Sequence, residues 1–207
     1  MKKLMMIAVT ALLATSYAVA NGPGGDKTTY TIDTQKSTVL WTGEKLTGEH
    51  KGTLDLKSGT VTMSGDAVAG TDLIIDMTSI VVTDIEDKTD NGKLVGHLES
   101  DDFFSVTKNP TASFKATSFN AINGADKGEA NYTVTGELTI KGITNTITFP
   151  TMVIVKDGML TANAKATFDR TKWNIKYSSA SFFDSLGDRV IYDDVVFEFQ
   201  LVARANN

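Results

Sequence analysis

No cysteine occurs anywhere in the 207 residues. The chain therefore forms no disulfide, offers no thiolate to a metal or substrate, and lacks the acceptor thiol of a bacterial lipoprotein. Stability has to come from a core. Proline is nearly absent, Pro23, Pro110 and Pro150 being the only three, which suits short strands joined by turns. Histidine is limited to His50 and His97, and neither falls in a zinc-binding spacing such as His-Glu-x-x-His. There is no Gly-x-Ser-x-Gly elbow and no phosphate-binding glycine loop. No motif proposes an enzyme or a resident metal.

Long hydrophobic runs are also missing, with one short exception. Lys2 and Lys3, the apolar stretch from Leu4 to Ala14, and Ala18-Val19-Ala20 have the charged, apolar and small-residue parts of a secretory signal. A span of the bilayer takes about 20 apolar residues, and Thr10, Thr15 and Ser16 interrupt this run. It reads as a targeting signal cleaved after Ala20, with no stable membrane anchor, and places the mature protein in the periplasm or outside the cell. Residues 21–27, with Asn21-Gly22-Pro23-Gly24-Gly25, read as a flexible linker, and residues 28–205 as one domain. The net charge of −5 becomes more negative once Lys2 and Lys3 are removed. That balance argues against nucleic acid or an anionic membrane surface as the main partner.

What the chain has in abundance is Thr, Val and Ile in alternation. From Asp194 to Ala203, residues Val195, Phe197, Phe199, Leu201 and Ala203 share one face, the signature of a half-buried strand. Tyr132 to Ile140 repeats the pattern, Lys141-Gly142 turns the chain, and Thr144 to Ile154 returns with Asn145, Ile147 and Phe149 inward. Further strands are predicted at Tyr30 to Ile32 and on through Val39 to Gly43, and at Gly52–Leu56, Thr60–Met63, Asp72–Val82, Ala112–Phe119 and Leu160–Phe168. A single helix is expected over Thr89 to Glu99, capped by Asp90, with Leu94 and Leu98 on one face. The reading is all-β: a single antiparallel barrel of about eight strands, closed so that no edge is exposed, with the short helix near one end.

The strand from Leu160 to Phe168 puts mostly alanine on its apolar face. An eight-stranded barrel is just wide enough to be filled by its own side chains or to hold one small ligand. Ala162, Ala164 and Ala166, with Gly136 on another strand and Ala112 and Ala116 on a third, tip the balance toward a cavity. Its walls would come from Val39, Trp41, Leu73, Ile75, Met77, Phe114, Val134, Leu138, Phe197 and Phe199, chemistry suited to a long aliphatic or isoprenoid chain. A close-packed core with small residues opposite large aromatics is the competing reading. In that case the barrel is a scaffold that contacts a protein partner through its surface. The sequence leaves a homodimer open.

Polar candidates are few. Arg170, with Trp173 in Asp169-Arg170-Thr171-Lys172-Trp173, follows the alanine-rich strand and is expected at a barrel rim. There the guanidinium either meets a polar lipid head or forms a solvated ion pair with Asp169 or Asp188. Tyr177, Phe182 and Phe183 lie in a Ser-rich connection that acts as an apolar lid over the mouth or anchors the loop to the core. His97 is read as a packing element that fixes the helix against Phe103-Phe104, taken as the start of a strand, since no carboxylate stands at a recognisable spacing to orient it.

Several segments together resemble one family. Gly96-His97-Leu98-Glu99-Ser100-Asp101-Asp102-Phe103-Phe104 followed by Asn109-Pro110-Thr111-Ala112-Ser113-Phe114 is similar to the signature of the YceI-like proteins. Tyr30-Thr31-Ile32-Asp33 with Ser37 to Trp41, Gly136 to Thr144, Asp169 to Ile175, and Leu186-Gly187-Asp188 with the final strand resemble its other blocks, in order. Many members carry an arginine three residues before the histidine; Leu94 stands there, so no role for that arginine is carried over. The resemblance implies a secreted bacterial protein with a lipocalin-like barrel that carries a polyisoprenoid, isoprenoid quinone or fatty-chain lipid, needs no cofactor and catalyses nothing. The exported protein is expected to begin at Asn21, which its intact mass will decide. Retention of Lys2 and Lys3 on a membrane-bound form would mean that the apolar run is an anchor.

Overall fold

The alternation in the last strand is the rule for the whole molecule. In β9 (Ile191–Ala205) the side chains of Phe197, Phe199, Leu201 and Ala203 are buried, while Glu198, Gln200, Val202 and Arg204 lie on the more exposed face. The computed structural model describes residues 26–206, so the expected signal and most of the expected linker lie outside the described residues. Nine strands are described. Besides β9 these are β1 (Lys27–Ile32), β2 (Thr38–Lys45), β3 (Gly48–Ser64), β4 (Ala67–Val82), β5 (Thr111–Ala121), β6 (Tyr132–Ile140), β7 (Ile143–Lys156) and β8 (Met159–Asp169). Helix α1 (Lys88–Glu99) lies between β4 and β5.

Eight of the strands close a barrel in the order β3-β2-β9-β8-β7-β6-β5-β4, and β4 pairs back onto β3. Every pairing is antiparallel. The ninth strand fills a gap: β1 pairs with residues 60–64 of β3 and 203–205 of β9, and β2 pairs with the other halves of the same two strands. Together β1 and β2 are one stave in two pieces. The break between them is stitched to β9, because the Asp33 amide donates to the Val202 carbonyl at 2.8 Å and the Ser37 hydroxyl accepts the Val202 N–H at 3.0 Å. No stretch of Val202 backbone is left unpaired there.

The structure corrects several sequence expectations. The strands foreseen at Gly52–Leu56 and Thr60–Met63 are one strand, since Lys57-Ser58-Gly59 forms no turn and only a shift of register against β4. Alternation breaks at such a bulge without ending the strand. The helix is capped by Asp87, which accepts from the Thr89 and Asp90 amides at 2.9 Å each, and not by Asp90. Phe103 and Phe104 lie in a run of turns, and β5 starts only after Pro110.

One contact shows how tightly the stave containing β2 is packed. Gly52 of β3 faces Trp41 of β2, and a Cβ on it would lie 1.7 Å from the Val81 carbonyl oxygen and 2.8 Å from the indole. Only glycine lets the backbones of β3 and β4 approach this closely beneath the ring. Gly52→Ala is expected to cost about 3 kcal/mol or more by overpacking, measured by denaturant unfolding. A change below about 1 kcal/mol would mean that the strands can part without penalty.

Candidate functional site

The barrel interior is lined by aromatic and aliphatic side chains, but it is not one continuous lumen. At the helix end lies an apolar chamber of about 60 Å³, walled by Trp41, Leu54, Ile80, Leu98, Phe168 and Phe197 among others. Toward the opposite end lies a second, of about 50 Å³, with Leu73, Phe114, Val134, Ala162, Ala164 and Phe199 in its wall. Between them by register stand Val39, Leu56, Ile75, Met77, Leu138 and Ala166, all buried and lining neither chamber. The expected lumen residues thus divide into two walls and a packed layer.

Gly136 provides no space. The Phe114 ring occupies the room a side chain would take, its nearest carbon 2.5 Å from where a Cβ would stand. Of the alanines of β8, Ala162 and Ala164 line the far chamber, whereas Ala166 is closed over in the layer. An unbroken series of ring contacts passes that layer. Phe114, Phe149, Phe199, Phe197, Phe168 and Trp173 follow one another at centroid separations of 5.3, 6.5, 6.2, 5.1 and 5.0 Å. Tilted, edge-on and, for Phe149 and Phe199, stacked contacts of this kind favour ordered rings over a fluid interior.

The helix end is sealed, and the residues expected at an open rim form the seal. Arg170 is 3% exposed. Its Nε donates to the Tyr192 carbonyl at 3.0 Å, Nη1 to the Ile175 carbonyl at 2.8 Å, and Nη2 to the Ile191 carbonyl at 3.0 Å and, more weakly, to Asp193 at 3.4 Å. Burial pulls the guanidinium below its ordinary pKa, and the charges of Asp193 and Asp169 oppose the shift. It stays protonated at neutral pH. Its donors are committed to the chain that follows β8, so it is neither the solvated rim charge nor a free head-group ligand. Trp173 is fully buried, with its Nε1 donating to the Leu138 carbonyl at 3.1 Å.

Above this seal sits the segment after α1. His97 meets the edges of Phe103 and Tyr177 at 4.9 and 4.5 Å, and its Nε2 lies 3.1 Å from Asp102. The imidazole therefore does fix the helix against Phe103, and it has a carboxylate partner that the sequence reading missed because the helix ends between the two residues. Asp101 accepts from Ser105 and Lys108, and the Lys108 ammonium holds its carboxyl below the usual range. Phe182 and Phe183 are 48% and 51% exposed and touch neither chamber. Among the described residues no cluster of His, Asp and Glu could hold a metal, and no helix is long and apolar enough to cross a membrane.

Two buried polar atoms have no hydrogen-bond partner among the described residues, Trp41 Nε1 and Thr151 Oγ1. Trp41 lines the helix-end chamber and Thr151 the far one. Sequence reasoning named Trp41 as an apolar wall residue and passed over Thr151, which is one of many threonines in alternating strands.

The model of the YceI-like domain matches residues 30–203. The chain belongs to the YceI-like family. The barrel interior found here is suited to an apolar ligand. The solved structure of Burkholderia cenocepacia BcnA is 26% identical, covering 83% of this chain and 99% of that one with a TM-score of 0.63. A polyisoprenoid binding domain from Saccharophagus degradans, 16% identical, shares the fold at a TM-score of 0.61 over 86% of this chain and 98% of its own. Among curated relatives, a UPF0312 protein of Shewanella denitrificans is 42% identical over 52 residues, a stretch that spans only 25% of each chain.

Arg170→Met is expected to lower stability by about 3 kcal/mol or more, because three carbonyls and Asp193 lose their donors inside the seal. Arg170→Lys should recover only part of the loss, since a single ammonium cannot reproduce the fork. Chemical denaturation measures both. A loss under about 1 kcal/mol for the Met variant would return Arg170 to the class of solvated rim charges.

Proposed function

We propose that this protein is an exported carrier that sequesters one long apolar lipid, a polyisoprenoid, isoprenoid quinone or fatty chain, inside its barrel. The observation that carries the proposal is the aromatic series running past the packed layer from one apolar chamber to the other. It supplies a continuous greasy wall along which a thin chain can lie. The polyisoprenoid binding domain of Saccharophagus degradans, with the same fold, supports the isoprenoid class. The signal-like start of the chain supports export, where such a lipid needs a soluble escort.

Chambers of about 50 and 60 Å³ are smaller than the cavity of about 150 Å³ that accepts benzene. Loading therefore displaces the layer of Val39, Ile75, Met77 and Leu138, and the lipid replaces their contacts. Each buried methylene returns roughly 0.8 kcal/mol, so a chain long enough to fill the barrel offsets that rearrangement. The same packed layer is the observation that favours a second reading, a solid barrel that serves as a protein-interaction scaffold.

Solvent extraction and mass spectrometry of the protein purified from its native host separate the two. A carrier releases a lipid at close to one per protein, and a scaffold releases none. Ala162→Phe should sharply lower the recovered lipid, because its ring enters the far chamber. Compared as delipidated proteins, the variant should lose about 1 to 3 kcal/mol at most. Equal lipid in both proteins would put the ligand elsewhere.

A further inference from the structure

At the end of the barrel away from α1, a cleft of about 320 Å³ opens between Tyr30 on β1, the Gly65-Asp66 turn, Asn131 and Tyr132, and the end of β7. Val68 and Val153 line both this cleft and the far chamber, so the two spaces share those side chains as a common wall. The β7 lip is held in an unusual way. β6 begins at Tyr132, and the Asn131 side chain continues its ladder, donating to the Val153 carbonyl at 2.8 Å and accepting the Val153 N–H at 2.7 Å. The Asn131 main-chain N–H also donates to the Thr151 carbonyl at 3.1 Å, and the other edge of β7 pairs with β8 over residues 151–156, so beyond Thr151 the lip is tied by a side chain on its β6 side alone.

Two residues inward on β7 stands Thr151, 7% exposed, its hydroxyl buried without a partner in the wall of the far chamber. A buried hydroxyl left unpaired is costly, and a native protein keeps one where something else satisfies it. No lysine or arginine lines the cleft, and Asp66 does, so a phosphate would meet repulsion and no counter-charge. The larger cleft at the helix end carries Lys45, Lys176 and Arg189. It shares Ile191 with the helix-end chamber, but that boundary is held by buried Arg170, which donates to the carbonyls of Ile175, Ile191 and Tyr192.

We propose that the lipid loads tail first through the cleft between Tyr30 and Tyr132, past Val68 and Val153, and leaves an uncharged hydrogen-bonding end group, a hydroxyl or carbonyl, on Thr151. This rests on the carrier reading and adds direction, doorway and head-group class to it. The tail then points toward the helix end, where both tryptophans of the chain lie, Trp41 in the chamber wall and Trp173 in the seal.

That placement makes the tryptophans reporters. The delipidated protein is titrated with two forms of stearyl alcohol, one brominated beside the hydroxyl and one beside the methyl end. The methyl-end bromide should quench tryptophan emission more. Greater quenching by the hydroxyl-end bromide would reverse the orientation and overturn the proposal. Thr151→Val should weaken binding of stearyl alcohol roughly five- to tenfold, the loss of one buried hydrogen bond, while the empty variant melts higher than the wild type. A Thr151→Val variant that melts lower and binds as well would mean the hydroxyl is structural. If the protein yields a lipid from its host and binds stearyl phosphate but not stearyl alcohol, the head-group class is wrong and the carrier stands. If it yields no lipid and binds neither, both readings fall together.

Discussion

A closed barrel of eight strands allows its interior side chains very little freedom, and the rest of the molecule follows from that restriction. Closure onto β3 joins the ends of the sheet, although β4 and β5 pair only over residues 72–76 and 111–115, and it fixes the interior width near the limit at which side chains alone can fill it. Each large inward residue must then be matched by a small one nearby: Gly52 lies beneath Trp41, and Gly136 leaves room for the ring of Phe114. Where the matching is complete, as around Ile75 and Leu138, the interior is solid. Where alanines share a wall with rings, as Ala162 and Ala164 do with Phe149 and Phe199, it is not.

The two ends treat that interior differently. At the helix end Arg170 spends its fork on three carbonyls, Trp173 on a fourth, and the turns after α1 are tied down by His97 and Asp101. This is a cross-linked plug that exposes few unsatisfied groups and makes opening costly. At the far end the β6 side of the β7 lip is held by Asn131, through its side chain to Val153 and its main-chain N–H to Thr151, with Val68 and Val153 as the shared wall, while β8 pairs with the other edge of β7. The proposed carrier role needs one end that holds and one that yields, and the two ends differ in how many side-chain bonds close them.

Much of the fold was legible from period-two alternation. β9, the β6–β7 hairpin and the alanine face of β8 stand where the pattern puts them, because a strand with one face in a core can hardly be written otherwise. The single long β3 was not legible, since a bulge and a turn both interrupt alternation and both accept Lys-Ser-Gly. The site was less legible still. Arg170 reads as a surface charge in any sequence, and its burial depends on carbonyls more than twenty residues later, at Ile191 and Tyr192. Thr151 gives no signal at all until its hydroxyl is seen without a partner.

The central claim is that the packed layer gives way to a lipid chain lying along the aromatic series. A crystal structure of the protein purified from its native host, without delipidation, tests it most directly. The account predicts continuous elongated density from the far chamber past Phe199 and Phe197 toward Trp41, with Ile75 and Leu138 displaced from the packed layer. Side chains of the layer packed as they are here, with no density between the chambers in protein that nevertheless releases a lipid, would contradict it.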